Sequence, residues 1–226
     1  MNGKGTAQEE NVSVKHKGGS IDGEVNMADL RQSILSRLLL GWSQVNWSVQ
    51  EHPDAAVLMA CTREESSRLL LTQRSDRLLA HAGEVAFPGG KCDPTDAGIE
   101  ATALREGFEE VGLQSEKVEV WGAGAIYVSR AGLKVQTVLA LIEPDAVLVP
   151  SPDEIAEIFY VPLSFFLEQR PSHDHQVGFM GQTYSMPCFR YQGFVIWGLT
   201  AYMLVDILNR TIDARIDFPL PQVRSS

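Results

Sequence analysis

The stretch "REGFEEVG", residues 105–112, decides the fold of this chain more than any other segment. It places three carboxylates, Glu106, Glu109 and Glu110, within five positions, and Arg105 is the only cation among them. Like charges three or four residues apart destabilise a helix by about 0.2–0.5 kcal/mol per pair. Such a cluster is therefore either a solvated acidic face or a segment that holds a positively charged group.

The residues on either side of this stretch predict where its helix begins and ends. Pro94 precedes it, and Thr95 or Asp96 is a suitable N-terminal cap. Gly112 suits the left-handed conformation that closes many helices. We therefore predict a helix over residues 97–111.

The predicted helix has an apolar side and an acidic side. At about 100° per residue, its glutamates lie opposite the apolar residues. That apolar side consists of Ala101, Leu104, Phe108 and Val111. The acidic side is either a solvated surface or a site for a hard divalent cation, which binds carboxylates, water and substrate phosphates. The upstream bend of Gly89 and Gly90, followed by Lys91, favours the cation site, because such a bend exposes backbone N–H groups to an anion.

Residues 89–113, "GGKCDPTDAGIEATALREGFEEVGL", resemble the Nudix box, whose core is R-E-x-x-E-E-x-G followed by an apolar residue. Asp96 stands where the box usually has Glu, and eight residues rather than seven separate it from Arg105. The coenzyme A pyrophosphatase branch of the family carries the same extra residue. Three further segments are similar to that branch: "LLTQRSDRLLAHAGEVAFPGG", "EIFYVPLSFFL" and "WGLTA". The resemblance therefore covers about residues 50–210. The sequence departs from the branch at Leu79, where many members carry Arg.

This resemblance implies an α+β fold, a Nudix-like α/β/α sandwich with a mixed central sheet. It implies hydrolysis of the diphosphate bond of coenzyme A or its derivatives, with Mg²⁺ or Mn²⁺ as cofactor, to phosphopantetheine and adenosine 3′,5′-bisphosphate. Two alternatives remain: a Nudix enzyme for another nucleoside diphosphate derivative, such as ADP-ribose or NADH, and a non-catalytic binding module. The expected partner is a small-molecule nucleoside diphosphate, and a homodimer is left open.

The resemblance also implies roles for the acidic residues. Glu106, Glu109 and Glu110 are the expected metal ligands, and Arg105 is expected to pair with a helix carboxylate and hold it in place. The general base is left open between Glu109 and Glu154, in "SPDEIAEIFYVPL", with Glu84 as a weaker third candidate.

Substrate contacts are expected from residues before the box and at its start. Arg74 and Lys91 are candidates for phosphate, His81 for phosphate or adenine, and Gly89 and Gly90 for the bend that covers the helix. The segment "PSHDH", 171–175, is expected to be a solvated loop rather than a metal site.

The chain as a whole is typical of one globular domain. It has 226 residues, a net charge of −10 and three widely spaced cysteines. The charge argues against nucleic acid, and the longest apolar run, 193–205, is too short to span a membrane. The cysteine pattern predicts a reducing, cytoplasmic setting. We predict a flexible leader at 1–27, a single Nudix hydrolase domain at 28–212 and a C-terminal tail at 213–226.

Simple patterns predict most secondary structure outside the box. Apolar runs predict a hairpin at 55–61 and 69–72 and a strand pair around "SRAG". A helical stripe is expected over 28–42, a strand and short helix around Pro162, and a hairpin that leads into a final helix from about Gly198.

Overall fold

A computed structural model describes residues 33–47, 52–179 and 181–217. It contains four α-helices in this part of the chain: α1 (Ile34–Gln44), α2 (Ile99–Val111), α3 (Leu163–Glu168) and α4 (Gly198–Ile212). The strands are β1 (Ala55–Thr62), β2 (Arg68–Arg74), β3 (Val85–Ala86), β4 (Gly89–Lys91), β5 (Val118–Val128), β6 (Lys134–Ile142), β7 (Ile155–Pro162), β8 (Ser172–Phe179), β9 (Gln182–Tyr191) and β10 (Phe194–Ile196).

Strand β1 is the centre of a seven-stranded mixed sheet. It pairs with β6 in parallel over its whole length, and with β2 and β4 in antiparallel fashion. Strands β3 and β7 both pair with β2, and β5 pairs with β6. Seven of the eight residues of β1 are buried, as expected for a strand covered on both faces.

Helices cover both faces of this sheet. On one face, α2 packs through Ala103 and Val111 on alternate residues of β1 and β6. On the other face, α1 and α4 share a larger core that includes Leu38, Leu204 and Leu208. The predicted α/β/α sandwich with a mixed central sheet is therefore confirmed.

Most predicted elements outside the box are present. The hairpin of β1 and β2, the pair of β5 and β6, the strand and short helix at Pro162, and a final helix from Gly198 all form as expected. Helix α1 begins at Ile34, where the Ser33 hydroxyl accepts a hydrogen bond from the Ser36 N–H, and it ends two residues later than predicted. Residues 28–32 of that prediction, and the predicted leader 1–27, lie outside the described residues.

The expectation of a loop at "PSHDH" was wrong. Residues 172–175 begin β8, which pairs with β9 in a separate three-stranded sheet that also contains β10. The segment has no run of apolar or β-branched residues, so pattern alone gave no indication of a strand. Its backbone extends because β9 supplies the hydrogen-bond partners.

Residues 213–217, the start of the predicted tail, contact the end of α4. Asp213 adopts the left-handed conformation that ends α4, and the Ile216 N–H then donates to the Asn209 side chain at 2.9 Å. The remainder of that tail, 218–226, lies outside the described residues.

None of the four helices in the described ranges has the length and apolarity that a membrane crossing requires.

Candidate active site

Helix α2 carries the three glutamates, and its two ends differ in how well they were predicted. It ends where expected, because Gly112 takes the left-handed conformation and its N–H donates to the Phe108 carbonyl at 2.9 Å. It begins at Ile99 rather than at residue 97, and neither Thr95 nor Asp96 caps it. The N-cap position is Gly98, and no side chain caps the helix there.

The predicted faces of this helix were wrong at two positions. Glu110 is only 2% exposed, whereas Phe108, assigned to the apolar side, is 52% exposed. The reason lies in the bend beside the helix: one Glu110 oxygen accepts a hydrogen bond from the Gly89 N–H at 3.1 Å. A helical wheel assumes that every buried position is apolar, and here the backbone of the bend provides a polar contact for a buried carboxylate.

The glycine bend can lie this close to the helix because it has no side chains. A Cβ on Gly89 would collide with the backbone of Ala56 and Val57 in β1. A Cβ on Gly90 would overlap the Glu106 carboxylate. These two glycines thus serve different contacts, one with the central sheet and one with the acidic helix.

Arg105 holds the acidic residues in place. Its guanidinium donates to both oxygens of Asp96, at 3.0 and 3.1 Å, to Glu106 at 2.9 Å and to Glu109 at 3.0 Å. It also donates to the Lys91 carbonyl at 2.8 Å, which joins the bend to the helix. The expected pairing of Arg105 with a helix carboxylate is therefore present. Hydrogen bonds from Arg105 lower the pKa of Asp96 well below its usual range.

The side chains of Glu106 and Glu110 are less exposed to solvent than that of Glu109. Their side chains are 14% and 3% exposed, against 53% for Glu109. Burial raises the pKa of Glu110 to about 7, and it also raises the pKa of Glu106, despite the opposing effect of Arg105. The opposing effects of Arg105 and Arg74 therefore do not outweigh the effect of burial on these two carboxylates.

The fold brings Arg74 and Glu154 to the same site from distant parts of the sequence. Arg74 lies at the end of β2, and its guanidinium donates to Glu110 at 3.3 Å. Arg74 pairs in register with Ile155, so Glu154 lies next to it at the start of β7. The exposed Glu154 carboxylate is close enough for its charge to raise the pKa of both Glu106 and Glu110.

A short turn fixes the position of Glu154, and sequence reasoning missed it. The Ser151 N–H donates to the Glu110 carbonyl at 2.8 Å, and the Val149 N–H donates to the Val111 carbonyl at 2.9 Å. These bonds use carbonyls at the C-terminal end of α2, which have no partner within a helix. "SPD" at 151–153 is a turn sequence, but nothing in it indicates which helix it contacts.

The remaining predicted residues lie at the margin. His81 is exposed, has a positive φ of 58° and lies 2.8 Å from a Glu84 oxygen. Among the contacts of the described residues, neither His81 nor Glu84 touches the glutamates of α2. Lys91 contributes its backbone carbonyl, whereas its side chain is exposed. Leu79 is fully exposed on the same loop as His81.

The carboxylates of α2 fit a hard divalent cation. Glu106 and Glu110 lie one turn apart, both face inward, and both would ionise more readily beside a cation. Glu109 lies on the exposed side of this pair and is bound by Arg105. Mg²⁺ or Mn²⁺ fits this set of oxygen donors better than Zn²⁺ does, because no thiolate or imidazole contacts it among the described residues.

Comparison with known proteins places the chain in a family. The NUDIX domain model matches residues 52–178. A Photorhabdus laumondii protein described as "Uncharacterized Nudix hydrolase NudL" is 44% identical over 150 residues, which cover 66% of this chain and 80% of that protein. A Citrobacter koseri protein with the same description is 39% identical over 173 residues, which cover 76% of this chain and 90% of that protein.

Among solved structures, a MutT/nudix family protein from Enterococcus faecalis superposes with a TM-score of 0.46 at 19% identity, covering 81% of this chain and 71% of that one. The domain match spans more than half of this chain, and it includes the glycine bend and all of α2. The chain therefore belongs to the Nudix hydrolase family.

Proposed function

We propose that this protein is a pyrophosphohydrolase that cleaves the diphosphate bond of coenzyme A or its derivatives with Mg²⁺ or Mn²⁺. The products are phosphopantetheine and adenosine 3′,5′-bisphosphate. One observation supports the diphosphate chemistry above all: the half-buried Glu106 and the buried Glu110 lie directly under the glycine bend, with Arg74 beside Glu110. Coenzyme A as the substrate is supported by the sequence resemblance of residues 70–90.

Glu106 and Glu110 would hold the cation, with Glu109 as a further ligand. A bound Mg²⁺ supplies screening of the phosphate charge and lowers the pKa of its water. Arg105 keeps Glu106 in place through one N–H, while Asp96 holds the other side of its guanidinium. Arg105 acts as a positioning residue, since all of its bonds go to the protein.

Arg74 would bind the diphosphate, and the bend would hold Glu110 in place. Arg74 presents a planar guanidinium at the edge of the acidic pair, where it can neutralise phosphate oxygens. The N–H of Gly89 points to Glu110, so the bend positions a ligand carboxylate rather than the phosphate in this arrangement.

Glu154 is the general base that the geometry favours. Glu109 is held by Arg105 at 3.0 Å, so its carboxylate is already engaged in an ion pair. Glu154 forms no ion pair among the described residues and lies within electrostatic range of Glu106 and Glu110. It would accept the proton of the attacking water.

One observation favours the alternative of a different nucleoside diphosphate derivative, such as ADP-ribose or NADH. Leu79 is fully exposed at the position where many members of the coenzyme A branch carry Arg. An exposed leucine cannot bind the extra 3′-phosphate that distinguishes coenzyme A from ADP-ribose.

The test is a direct comparison of substrates. The purified protein is assayed with coenzyme A, ADP-ribose and NADH, each with Mg²⁺ and with Mn²⁺, and the nucleotide products are separated. We expect adenosine 3′,5′-bisphosphate from coenzyme A at a higher kcat/KM than turnover of the other two. Preferred turnover of ADP-ribose or NADH would overturn coenzyme A as the substrate, and no cation-dependent turnover at all would favour a binding module.

The Leu79→Arg variant sharpens this comparison. It should raise kcat/KM for coenzyme A about two- to tenfold, and that for ADP-ribose less. The control is Val147→Arg, which adds the same charge at another exposed apolar side chain. An equal gain in both variants would indicate a general effect of charge rather than recognition of the 3′-phosphate.

A further inference from the structure

Three side chains able to bind a metal meet in the sheet of β8, β9 and β10, which carries none of the glutamates of α2. Asp174 and His175 come from β8, and Cys188 comes from β9. One ligand atom from each of the three lies within 4.8 Å of the other two. A carboxylate oxygen, an imidazole nitrogen and a thiol sulfur are thus close enough to share one ion.

A β-bulge brings these side chains together. Neighbouring residues of a strand normally point to opposite faces, so Asp174 and His175 should diverge. Ser172 pairs with Cys188 and His175 with Met186, so three steps along β8 correspond to two along β9. The extra residue changes the direction of the side chains locally, and both then approach Cys188.

The surroundings hold Asp174 and His175 in place. One Asp174 oxygen accepts a hydrogen bond from the Ser172 hydroxyl at 2.7 Å and lies 3.1 Å from His175 Nδ1. Arg190 binds the other oxygen at 2.8 Å, and the Trp197 ring lies 4.9 Å from the His175 ring. A carboxylate that contacts one ring nitrogen is the arrangement that orients metal-binding histidines in proteins.

Cys188 is buried and forms no disulfide. A Cys–His–Asp set also resembles the order of nucleophile, base and orienting acid found in hydrolases. Because Cys188 is only 2% exposed, an acyl substrate cannot reach its sulfur.

We propose that Asp174, His175 and Cys188 form a second metal site, which binds Zn²⁺ or another borderline-soft divalent cation and ties β8 to β9. Thiolate and imidazole ligands select Zn²⁺ over the Mg²⁺ and Mn²⁺ that suit the carboxylates of α2. Three protein ligands leave a fourth position for water. Binding forms a bond from the ion to the Cys188 sulfur and releases the thiol proton to solvent, so affinity falls at lower pH.

The test uses Co²⁺ as a spectroscopic substitute for Zn²⁺ in the full-length protein. Excess Mg²⁺ is added first to fill the glutamate site, and Co²⁺ is then titrated under reducing conditions. We expect one equivalent of Co²⁺ to produce a thiolate-to-cobalt charge-transfer band, which carboxylate ligands cannot produce. Added Zn²⁺ should remove the band. This experiment does not depend on diphosphate hydrolysis, so its failure leaves the proposed function untouched.

Single substitutions identify the ligands. Cys188→Ser should abolish the band, whereas Cys92→Ser, which alters an exposed thiol beside the glycine bend, should keep it. Asp174→Asn and His175→Gln should weaken Co²⁺ affinity about 10- to 100-fold.

If near-ultraviolet circular dichroism shows that Cys188→Ser does not fold, His175→Gln carries the test, because His175 is partly exposed. Absence of a band in the unmodified protein, or its persistence in Cys188→Ser, would overturn the proposal, as would unchanged affinity in His175→Gln.

Discussion

The segment 89–112 and the hairpin of β8 and β9 both gather side chains that can bind a cation, but they do so in different ways. In the first, bend and helix are adjacent in sequence, and all donors are carboxylate oxygens. In the second, strand pairing and a bulge bring residues 14 positions apart to within 4.8 Å. The first site is therefore apparent from a short sequence motif, whereas the second becomes apparent only from the paired strands.

The two regions also differ in how their charge is balanced. Burial raises the pKa of Glu110 to about 7, although Arg74 and the Gly89 N–H both oppose this. Asp174 is exposed, and hydrogen bonds from Ser172 and His175 lower its pKa. When ionisation of a carboxylate stays unfavourable despite its protein partners, a cation is missing from its surroundings. Asp174, in contrast, is already stable in its ionised form.

The largest expected effect comes from Glu110→Gln, which keeps the shape of a buried ligand and removes its charge. We expect kcat to fall about 10³-fold, because a lost metal ligand removes several kcal/mol of charge stabilisation in the transition state. Steady-state kinetics with saturating Mg²⁺ measure the effect. Glu100→Gln, on the first turn of the same helix and exposed, is the matched control. Near-normal turnover by Glu110→Gln would contradict the assignment of this carboxylate to the cation.

The next largest effect separates the two candidate bases. Glu154→Gln should lower kcat about 10²-fold and remove the acidic limb of the pH–rate profile. Glu109→Gln should lower kcat less, because Arg105 and the two buried glutamates remain. If Glu109→Gln instead abolishes the acidic limb while Glu154→Gln retains it, Glu109 is the base.

A smaller effect on turnover is expected from the bend. Gly90→Ala places a methyl group against the Glu106 carboxylate, which must shift to make room. We expect kcat to fall about 10- to 100-fold, with little change in stability, because the displaced group is the end of a side chain. Gly178→Ala in the hairpin is the control, since open space surrounds its Cβ position.

Gly89→Ala should behave differently from Gly90→Ala, because its methyl group meets the backbone of Ala56. Backbone cannot move as a side-chain carboxylate can, so this variant should lose stability first. Thermal unfolding and Mg²⁺ affinity, measured on both glycine variants, would sharpen the distinction. Equal losses of stability in the two would show that the bend moves as one unit.

Much of the fold and part of the site could be predicted from sequence, for identifiable reasons. The end of α2 followed from Gly112, and the sheet followed from runs such as 55–61. The burial of Glu110 could not be predicted, because it depends on a hydrogen bond to Gly89 across 21 residues. Strand β8 was missed because its pairing with β9, rather than its own residues, makes it extended.

Asp96 shows an intermediate case. The sequence showed only an unusual residue at an unusual spacing and indicated no contact for it. In the structure Asp96 binds Arg105 through both oxygens and also accepts a hydrogen bond from the Thr102 hydroxyl at 2.7 Å. A turn at Asp93–Asp96, in which the Asp96 N–H donates to the Asp93 carbonyl, precedes the segment that holds the extra residue.

A final prediction compares the two regions directly, through the pH dependence of stability without metal. An unfolded glutamate has a pKa of about 4.3, and that of Glu110 is about 7 in the fold. Between these values the native state keeps a proton that the unfolded state has lost, so stability falls as pH rises through this range. Glu110→Gln removes this loss and should be more stable than the unmodified protein by about 1–3 kcal/mol at about pH 8, with no gain near pH 4.

Asp174→Asn should have the opposite sign. The lowered pKa of Asp174 stabilises the fold above the unfolded value of about 3.9, and this contribution is lost only as pH falls through the lower native value. The variant should therefore be less stable at neutral pH and no different in strong acid.

Urea unfolding with a chelator present, at several pH values, measures both variants. A Glu110→Gln variant that is destabilised at about pH 8 would show that Arg74 and Gly89 already balance this carboxylate, and that no missing cation need be inferred from its burial.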